Sequence, residues 1–299
     1  RITSQNMRSL SIHAIGKRGN KRRARKLRHV ERLLLGCDIL CLQETHLGPK
    51  DHAALHIHFP NHQIFYNGFT VKRAGTLIMV NPRFAKNFTI QVIDLPDSTQ
   101  GRLQAIHFSS TLFPGNSRAD FVMANTYLPA SGTPTDKVAI LSALGILPCS
   151  KLFLVGDFNF IESPEDSTRT SPNFISGAAL EAWHAFLNKY GLKEVFQGDH
   201  THFRITKSVE YNFSSRLDRA YVALSEAEWG ALAPFTHLPY AGPDPSAQLS
   251  RSLKNNLSLK AEFTTLTVTD HLPLSLAFGG LKPKPKGGFN APRWLGERP

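Results

Sequence analysis

The chain has 299 residues, 41% of them hydrophobic, and a formal net charge of +12. This length suits one large domain of the α/β or all-β class. The sequence has no run of 18 apolar residues and no charged, apolar and small-residue leader. We therefore expect a soluble protein without a membrane span or secretory signal.

The first residue and the cysteines of the chain lead to two further expectations. The chain begins at Arg1 rather than at a methionine, so we expect it to be part of a longer polypeptide. Cys37, Cys41 and Cys149 are too few for a disulfide framework, and no Cys/His pair completes a zinc pattern. The pattern predicts buried, reduced thiols in an intracellular protein.

Basic residues are concentrated near the start of the chain. Residues 1–30 contain no Asp or Glu, and residues 17–28 are largely Lys and Arg. A basic surface attracts phosphate polyanions and speeds encounter with them. Such runs also occur on solvated helix faces and in localisation signals, so the role of this one stays open.

Hydrophobic periodicity predicts the secondary structure in chain order. Three helices are predicted, namely a basic amphipathic helix ending near residue 36, then 134–147 and 178–190. Strands are predicted at 2–10, 38–42, 62–69, 75–80, 88–95, 102–108, 121–128, 151–155, 202–205, 216–223, 263–268 and 274–278. Residues 241–256 have the composition of a long loop, and 281–299 that of a basic Pro/Gly linker. Many strands with few helices between them indicate two sheets with helices outside.

Polar side chains follow several of these apolar strands. The stretch LVGDFNF ends a buried run with Asp157 and Asn159, which would point the same way if the strand continued. Similar polar endings include Asn6, Gln43-Glu44-Thr45, Tyr127, Asp218 and Asp270-His271. Polar groups that converge from separate strand ends are how α/β and β scaffolds build sites.

Each ending also has a purely structural explanation. Asp157 and Asn159 could cap a turn, and Glu44 could face solvent. Asp218 could form a surface ion pair with Arg216 or Arg219.

Together, however, the residue types suit phosphodiester cleavage. Glu44 and Asp270 are hard oxygen ligands of the kind that Mg²⁺ prefers, whereas Zn²⁺ would require more His or Cys. His271 can face the phosphate, and a carboxylate such as Asp218 would orient its ring. Asp157 would then polarise water while Asn159 donates to a phosphoryl oxygen.

In this order, the motifs resemble those of the endonuclease/exonuclease/phosphatase superfamily. The matching stretches are Gln5-Asn6, Leu42-Gln43-Glu44-Thr45, Tyr127-Leu128-Pro129, Gly156-Asp157-Phe158-Asn159, Arg216-Leu217-Asp218 and Thr269-Asp270-His271-Leu272-Pro273. The resemblance covers about 275 residues. It implies a four-layer αββα sandwich of two mixed β-sheets, over residues 1–280, with helices outside. It also implies phosphoester hydrolysis that depends on Mg²⁺, or on Mn²⁺ in its place.

The resemblance further implies a role for each residue. Glu44 corresponds to the principal metal ligand, with Asn6 and Asp270 near the metal. Asp157 corresponds to the residue that activates water or protonates the leaving group, Asn159 to the phosphate-orienting amide and Tyr127 to the phenol near the phosphate. Asp218 and His271 correspond to the hydrogen-bonded pair that binds the phosphate.

Two positions depart from the pattern. Arg8 stands where many members have Asp or Asn, which puts an auxiliary metal contact there in doubt. Ala130 follows Tyr-Leu-Pro where abasic-site repair enzymes typically have Asn, which weakens the repair interpretation.

Within the superfamily, the chain is most similar to the endonuclease domain of non-LTR, LINE-type retrotransposons. The stretches that carry this likeness are SQNMRSL, CDILCLQETHL, Gln100-Gly101-Arg102, SSRLDRAYV and the tail at 291–295. The likeness implies nicking of double-stranded DNA to leave a 3′-hydroxyl that primes reverse transcription. It also implies a reverse transcriptase in the same polypeptide and a nuclear location at least transiently.

The segment before Arg216-Leu217-Asp218 lies where these endonucleases carry a DNA-contacting hairpin. Arg204, Lys207 and Tyr211 give it a basic and aromatic composition suited to a groove. Packing of a surface hairpin explains the same composition equally well.

Three alternatives remain open on the sequence. The first is an abasic-site repair nuclease, and the second is a phosphatase acting on an inositol phosphate or phospholipid headgroup. The third is a DNA-binding module without catalysis, which the intact set of polar endings disfavours.

Overall fold

The computed structural model describes most of the chain up to residue 225 and short segments beyond it. The described ranges are 1–10, 16–48, 51–68, 74–114, 119–130, 134–145, 151–169, 174–175, 177–196, 200–204, 213–225, 236–237, 269–271 and 273–276. The predicted strand 263–268, the loop 241–256 and the linker 281–299 lie outside these ranges. The division into a domain at 1–280 and a linker therefore stays a prediction.

The first of two six-stranded sheets contains the start of the chain. In spatial order its strands are β13 (Thr236–His237), β14 (Leu274–Leu276), β1 (Ile2–Asn6), β2 (Ile39–Gln43), β4 (Thr76–Val80) and β3 (Gln63–Asn67). The β1 and β2 strands are parallel, and every other neighbouring pair is antiparallel. All residues of β1, β2 and β4 are buried, as the apolar runs of β2 and β4 predict, although β1 consists mostly of polar residues.

The second sheet has the same construction. In spatial order its strands are β5 (Phe88–Ile93), β6 (Leu103–Ser110), β7 (Phe121–Tyr127), β8 (Leu152–Asp157), β12 (Asp218–Ala223) and β9 (Lys193–Glu194). Here β7 and β8 form the parallel pair, and the other pairs are antiparallel. A separate two-stranded ribbon joins β10 (His202–Arg204) to β11 (Phe213–Ser215).

Four of the five described α-helices cover the outer faces of the sheets, whereas α3 packs on the apolar layer between them. They are α1 (Gly16–Leu35), α2 (Asp51–His58), α3 (Pro82–Ala85), α4 (Pro134–Leu144) and α5 (Gly177–Tyr190). Parallel strands need a crossover connection, and α1 and α4 lie in the crossovers of the two parallel pairs. The described part of the chain contains no helix that is both long and apolar enough to cross a membrane.

Three apolar layers hold this arrangement together. One lies between the two sheets and includes Ile78, Phe108 and Val155. The outer layers pack α1 and α2 on the first sheet and α4 and α5 on the second, where Trp183 is fully buried. The predicted four-layer αββα sandwich is confirmed, with Cys37 and Cys41 as free, buried thiols.

The structure corrects several predicted boundaries. The strand predicted at 2–10 ends at Asn6, because the chain turns away through positive φ angles at Arg8 and Ser9. Helix α2 was not predicted, since its histidines and alanines give little helical contrast in hydrophobicity. Strands β9, β11 and β13 have only two or three residues, too few for a recognisable period.

Gly156 in β8 stands at a position where a side chain would not fit. Its φ is +150°, and a Cβ atom there would lie 1.9 Å from the backbone oxygen of Thr126 on the parallel strand. The glycine therefore allows β7 and β8 to approach closely just before Asp157.

Substitution of Gly156 tests this close approach. We expect Gly156→Ala to lower the free energy of unfolding by at least about 2 kcal/mol, because it adds both overpacking and backbone strain. Urea unfolding measures the change. Gly177→Ala, at a position with open space around the added Cβ, is the matched control and should stay within about 1 kcal/mol of wild type. Equal stability of the two variants would contradict the packing argument.

Candidate active site

The polar endings meet at the edge where the two parallel strand pairs finish. Asn6 ends β1, and Glu44 directly follows β2. On the other sheet, Tyr127 and Asp157 are register partners at the ends of β7 and β8, and Asp218, the first residue of β12, is the antiparallel partner of Asp157. Strand register therefore places Tyr127, Asp157 and Asp218 side by side.

Asn6 and Asn159 both hold the Asp157 carboxylate. Asn6 Nδ2 donates to Asp157 Oδ2 at 2.8 Å, across the gap between the two sheets. Asn159 Nδ2 donates to the same oxygen at 3.0 Å, and its backbone N–H donates to Oδ1 at 3.0 Å. The side chains of Asp157 and Asn159 do meet, as the sequence predicts, but not because they share one face of an extended strand. The strand stops at Asp157, and Asn159 returns to it through a turn with φ of +50°.

His271 is bound to Asp218 in the interior. His271 Nδ1 and Asp218 Oδ2 are 2.8 Å apart, and the two residues are 5% and 0% exposed. Asp157, Asp218 and His271 each offer a ligand atom within 4.8 Å of the other two. These three residues thus form a compact cluster of ionisable groups.

The electrostatics of this cluster favour a cationic imidazole. Burial alone would lower the pKa of His271, but Asp218, Asp157 and Asp270 raise it to about 10. Burial and the charge of Asp218 raise the pKa of Asp157 to about 7, against the opposing effects of His271 and Asn6. A carboxyl group with a pKa near neutrality can both accept and donate a proton.

The two arginines beside Asp218 serve the scaffold instead. Arg219 is fully buried, and its guanidinium contacts Glu162 at 2.6 Å and Asp166 at 2.8 Å. Arg216 pairs with Asp166 at 2.7 Å and also with Glu194. The surface ion pair considered for Asp218 is therefore not formed, and Asp218 is available to His271.

Glu44 lies at the same edge in a strained backbone conformation. Its φ is +51°, and its carboxylate is 3.5 Å from His46 Nε2. Burial alone would raise the pKa of Glu44, but hydrogen bonds from His46 and Asn6 and the charge of His271 lower it.

Asp270 faces several cationic or imidazole groups. Its Oδ2 accepts from Arg8 Nη1 at 2.5 Å and lies 3.4 Å from His202 Nε2. Burial would raise the pKa of this carboxyl, but His202, His271 and Arg8 hold it well below its usual range. Arg8, the departure from the family pattern, thus places a positive charge where an acid would add a ligand.

These residues fit a divalent metal ion. Asp270 Oδ1 is buried and accepts no hydrogen bond from the residues that the structure describes. Such an oxygen is costly unless something else neutralises it. Glu44 and Asp270 would hold the ion through carboxylate oxygens, as Mg²⁺ requires.

Tyr127 completes the far side of the cluster. Its ring is 8% exposed and stacks under the Arg102 guanidinium at 4.8 Å. Burial, with the charges of Glu44 and Asp157, raises the pKa of its phenol well above the usual value. Tyr127 therefore stays a neutral hydrogen-bond donor.

The predicted DNA-contacting hairpin is described only in its two strands. Strands β10 and β11 pair from His202 with Ser215 to Arg204 with Phe213. Lys207 and Tyr211 lie outside the described residues, as does the side chain of Arg204. Their contact with DNA stays a prediction.

Comparison with known proteins places this site in a family. A sequence profile of the Endonuclease/Exonuclease/phosphatase family matches residues 3–271. The chain belongs to this family. Its members are hydrolytic nucleases and phosphatases that depend on a divalent metal ion. No curated protein matches the chain in sequence.

Solved structures of the family share the fold at low identity. The endonuclease domain of TRAS1, a telomere-specific non-LTR retrotransposon, has a TM-score of 0.56 and 12% identity, over 93% of this chain and 97% of that chain. The AP endonuclease LMAP from Leishmania major has a TM-score of 0.63 and 15% identity, over 93% of this chain and 87% of that chain. The 3′ phosphatase NExo from Neisseria, bound to a product DNA hairpin, has a TM-score of 0.60 and 20% identity, over 93% of this chain and 98% of that chain.

Lys26 stabilises the site, although it belongs to none of the sequence motifs. Within the basic run, it has the spacing of the buried face, four residues before Val30 and seven before Leu33. It is 1% exposed, and its Nζ donates to the backbone oxygen of Met7 and, at 3.4 Å, to that of Arg8. Lys26 therefore holds the turn after Asn6 and is not available for nucleic acid.

Polar side chains inside the sandwich connect further parts of the site. His29 Nε2 lies 2.8 Å from Gln5 Oε1, and Gln5 Nε2 donates to the backbone oxygen of His271 at 2.8 Å. Gln43 Nε2 donates to Asn125 Oδ1 at 2.7 Å, from one sheet to the other. The bond of Gln43 joins the two sheets, those of Gln5 tie α1 and His271 to β1, and the Gln5 and Gln43 of the motifs are the signals that could have revealed them.

The burial of Lys26 predicts a pH dependence of stability. Burial and nearby Arg22 lower the pKa of Lys26 from 10.5 to about 7, and a neutral amine still has one N–H for each of its two carbonyl partners. Between about pH 7 and pH 10.5 the unfolded chain binds more protons than the folded chain, so the free energy of unfolding of the wild type should rise with pH. Relative to Lys26→Met, we expect a gain on the order of 3 kcal/mol from pH 7 to pH 10.

Urea unfolding in EDTA at both pH values measures this gain. The variant corrects for every other group that titrates in the same range. Parallel pH profiles for the wild type and Lys26→Met would contradict a buried, shifted lysine.

Proposed function

We propose that the protein is a Mg²⁺-dependent DNA endonuclease of a non-LTR retrotransposon, which nicks target DNA and leaves a 3′-hydroxyl for reverse transcription. The observation that carries this proposal is the assembly of Asp157, held by Asn6 and Asn159, beside the buried Asp218–His271 pair. An acid–base group, an amide donor and a cationic imidazole in one small space suit hydrolysis of a phosphodiester.

Each residue has a chemical task in this proposal. Glu44 and Asp270 would hold the metal ion, which would supply positive charge to the phosphate. Asp157, with its pKa raised to about 7, takes a proton from water or returns one to the leaving oxygen. His271, held by Asp218, donates to a phosphate oxygen, and the neutral Tyr127 donates beside it.

Charge and composition support DNA as the partner. The net charge is +12, and Lys21, Arg22 and Arg23 are exposed on α1. Neutralised phosphates release counterions, so such a surface binds nucleic acid with strong salt dependence. The proposal includes double-stranded DNA as the substrate, a joined reverse transcriptase and a nuclear location. It rests on the sequence motifs and is supported by the shared fold of the TRAS1 domain.

An abasic-site repair endonuclease is the second candidate. AP endonucleases from Leishmania major and Archaeoglobus fulgidus share the fold, the latter with a TM-score of 0.60. Ala130 disfavours this candidate, since it supplies no side-chain amide next to the Tyr127 strand end.

Nicking of supercoiled plasmid tests the proposed activity. With Mg²⁺ the wild type should convert plasmid to nicked circles that carry 3′-hydroxyl ends. Asp157→Asn and His271→Ala should each reduce the rate about 100-fold or more, because each removes a group that acts in the transition state. Glu181→Gln, at an exposed carboxylate of α5 on the outer side of the second sheet, is the matched control and should retain the wild-type rate.

Two results would reject the endonuclease. One is the absence of nicking by wild-type protein, and the other is nicking that survives in both active-site variants. A duplex with one abasic site, compared with the intact duplex, distinguishes the candidates. Strong preference for the abasic substrate would favour the repair enzyme, and comparable cleavage would favour the retrotransposon enzyme.

A further inference from the structure

Two imidazoles and one carboxylate converge beside the Asp218–His271 pair. His202 Nε2 lies 3.4 Å from Asp270 Oδ2, and His271 Nε2 lies 3.9 Å from Asp270 Oδ1. One ligand atom from each residue falls within 4.8 Å of the other two. Mg²⁺ prefers oxygen ligands, whereas two imidazole nitrogens and a carboxylate are a donor set that Zn²⁺ favours.

The spacing is close to that of a tetrahedral site. Ligands that lie 2.0–2.1 Å from a tetrahedral zinc ion are roughly 3.3–3.4 Å apart. The separation of His202 from Asp270 already has this value. The separation of His271 Nε2 from Asp270 is slightly longer and is to the other carboxylate oxygen, Oδ1, so the two histidines lie beside the two oxygens of one carboxylate.

The backbone holds the two histidines together. His202 and His271 form an isolated antiparallel bridge, and their ring centroids are 4.8 Å apart. His202 also begins β10, which is paired with β11, and the preceding Thr201 is fully buried. The two imidazoles are therefore positioned before any ligand arrives.

Asp218 gives His271 the orientation of a metal ligand. Its carboxylate engages Nδ1 at 2.8 Å, which leaves Nε2 directed toward Asp270. Metal-bound histidines commonly have such a carboxylate on the second nitrogen. The orphaned Asp270 Oδ1 provides an oxygen without a hydrogen bond among the described residues. Arg8 opposes a cation here, but its side chain is 59% exposed and can turn to solvent.

We propose that His202, Asp270 and His271 form a site for a Zn²⁺-class transition-metal ion that overlaps the oxygen site for Mg²⁺. The two ions compete because both use Asp270. Zn²⁺ also displaces to solvent the proton of His271 Nε2, the nitrogen that would otherwise donate to the phosphate. Zn²⁺ is therefore an inhibitor of the Mg²⁺-dependent reaction, a consequence that rests on the proposed function, whereas the site itself does not.

Zinc binding without DNA tests the site directly. The protein should be untagged and carry His52→Ala and His56→Ala, since these residues of α2 have Nε2 atoms 3.1 Å apart and would also bind zinc. Titration with ZnCl₂ against a chromophoric chelator measures the affinity. In this background, His202→Ala and His202→Gln should each weaken binding roughly tenfold or more. His184→Ala, at an exposed position of α5, should leave it unchanged.

Circular dichroism and thermal melting confirm that each variant is folded, and the glutamine variant keeps most of the side-chain volume. Zinc affinity that is the same with and without His202 in folded protein would overturn the site. An absence of zinc binding in the His52→Ala, His56→Ala background would overturn it as well.

A nicking assay at constant Mg²⁺ tests the inhibition. Zn²⁺ should inhibit the background protein, and excess Mg²⁺ should relieve this inhibition. His202→Ala should require roughly tenfold more Zn²⁺ for the same inhibition. Zinc binding by a protein that nicks no DNA would reject the proposed function and leave the site standing. Inhibition that is independent of His202 would overturn the competition.

Discussion

The structure depends on two parallel strand pairs that finish at one edge of the sandwich. Among the described strands, each sheet contains one parallel pair, β1–β2 in one and β7–β8 in the other. A parallel pair ends both of its strands on the same side, so four strand ends meet where the sheets face each other. The 2.8 Å bond from Asn6 to Asp157 is the direct contact between these ends.

Burial of charge explains why the site needs so much support. Asp157, Asp218 and His271 are at most 5% exposed, and an unpaired charge at that depth is strongly unfavourable. Neighbouring opposite charges and amide donors offset the cost. Removal of one member leaves another charge unsatisfied, so the cluster acts as a unit. Separate ion pairs of Arg216 and Arg219 stabilise β12 without neutralising Asp218.

The sequence predicted the fold class and the convergence of the motif residues, but not the local geometry. Asn159 shows the difference, since a spacing of two predicts a common face only in an extended chain, and the observed turn depends on a left-handed residue. Lys26 shows another, because a lysine on a buried helix face looks like part of a charged run until its partners are known.

Contacts between distant elements were the least predictable. His202 lies in a short ribbon, and its approach to His271 depends on a bridge between segments far apart in the chain. The ion pairs of Arg219 with Glu162 and Asp166 likewise depend on side-chain positions that no period encodes. Motifs at strand ends were predictable because strand register alone brings them together.

A crystal structure with a DNA duplex and Ca²⁺, an ion that supports binding with slow or no turnover, would test the central claim most directly. The measured quantities are the distances from one phosphate to Asn159 Nδ2 and to His271 Nε2. The convergence of strand ends predicts that both atoms lie within hydrogen-bond distance of the same phosphate group, with the ion beside Glu44 and Asp270. A phosphate bound away from these atoms, with Asn159 still donating to Asp157 and to the backbone oxygen of Leu128, would contradict it.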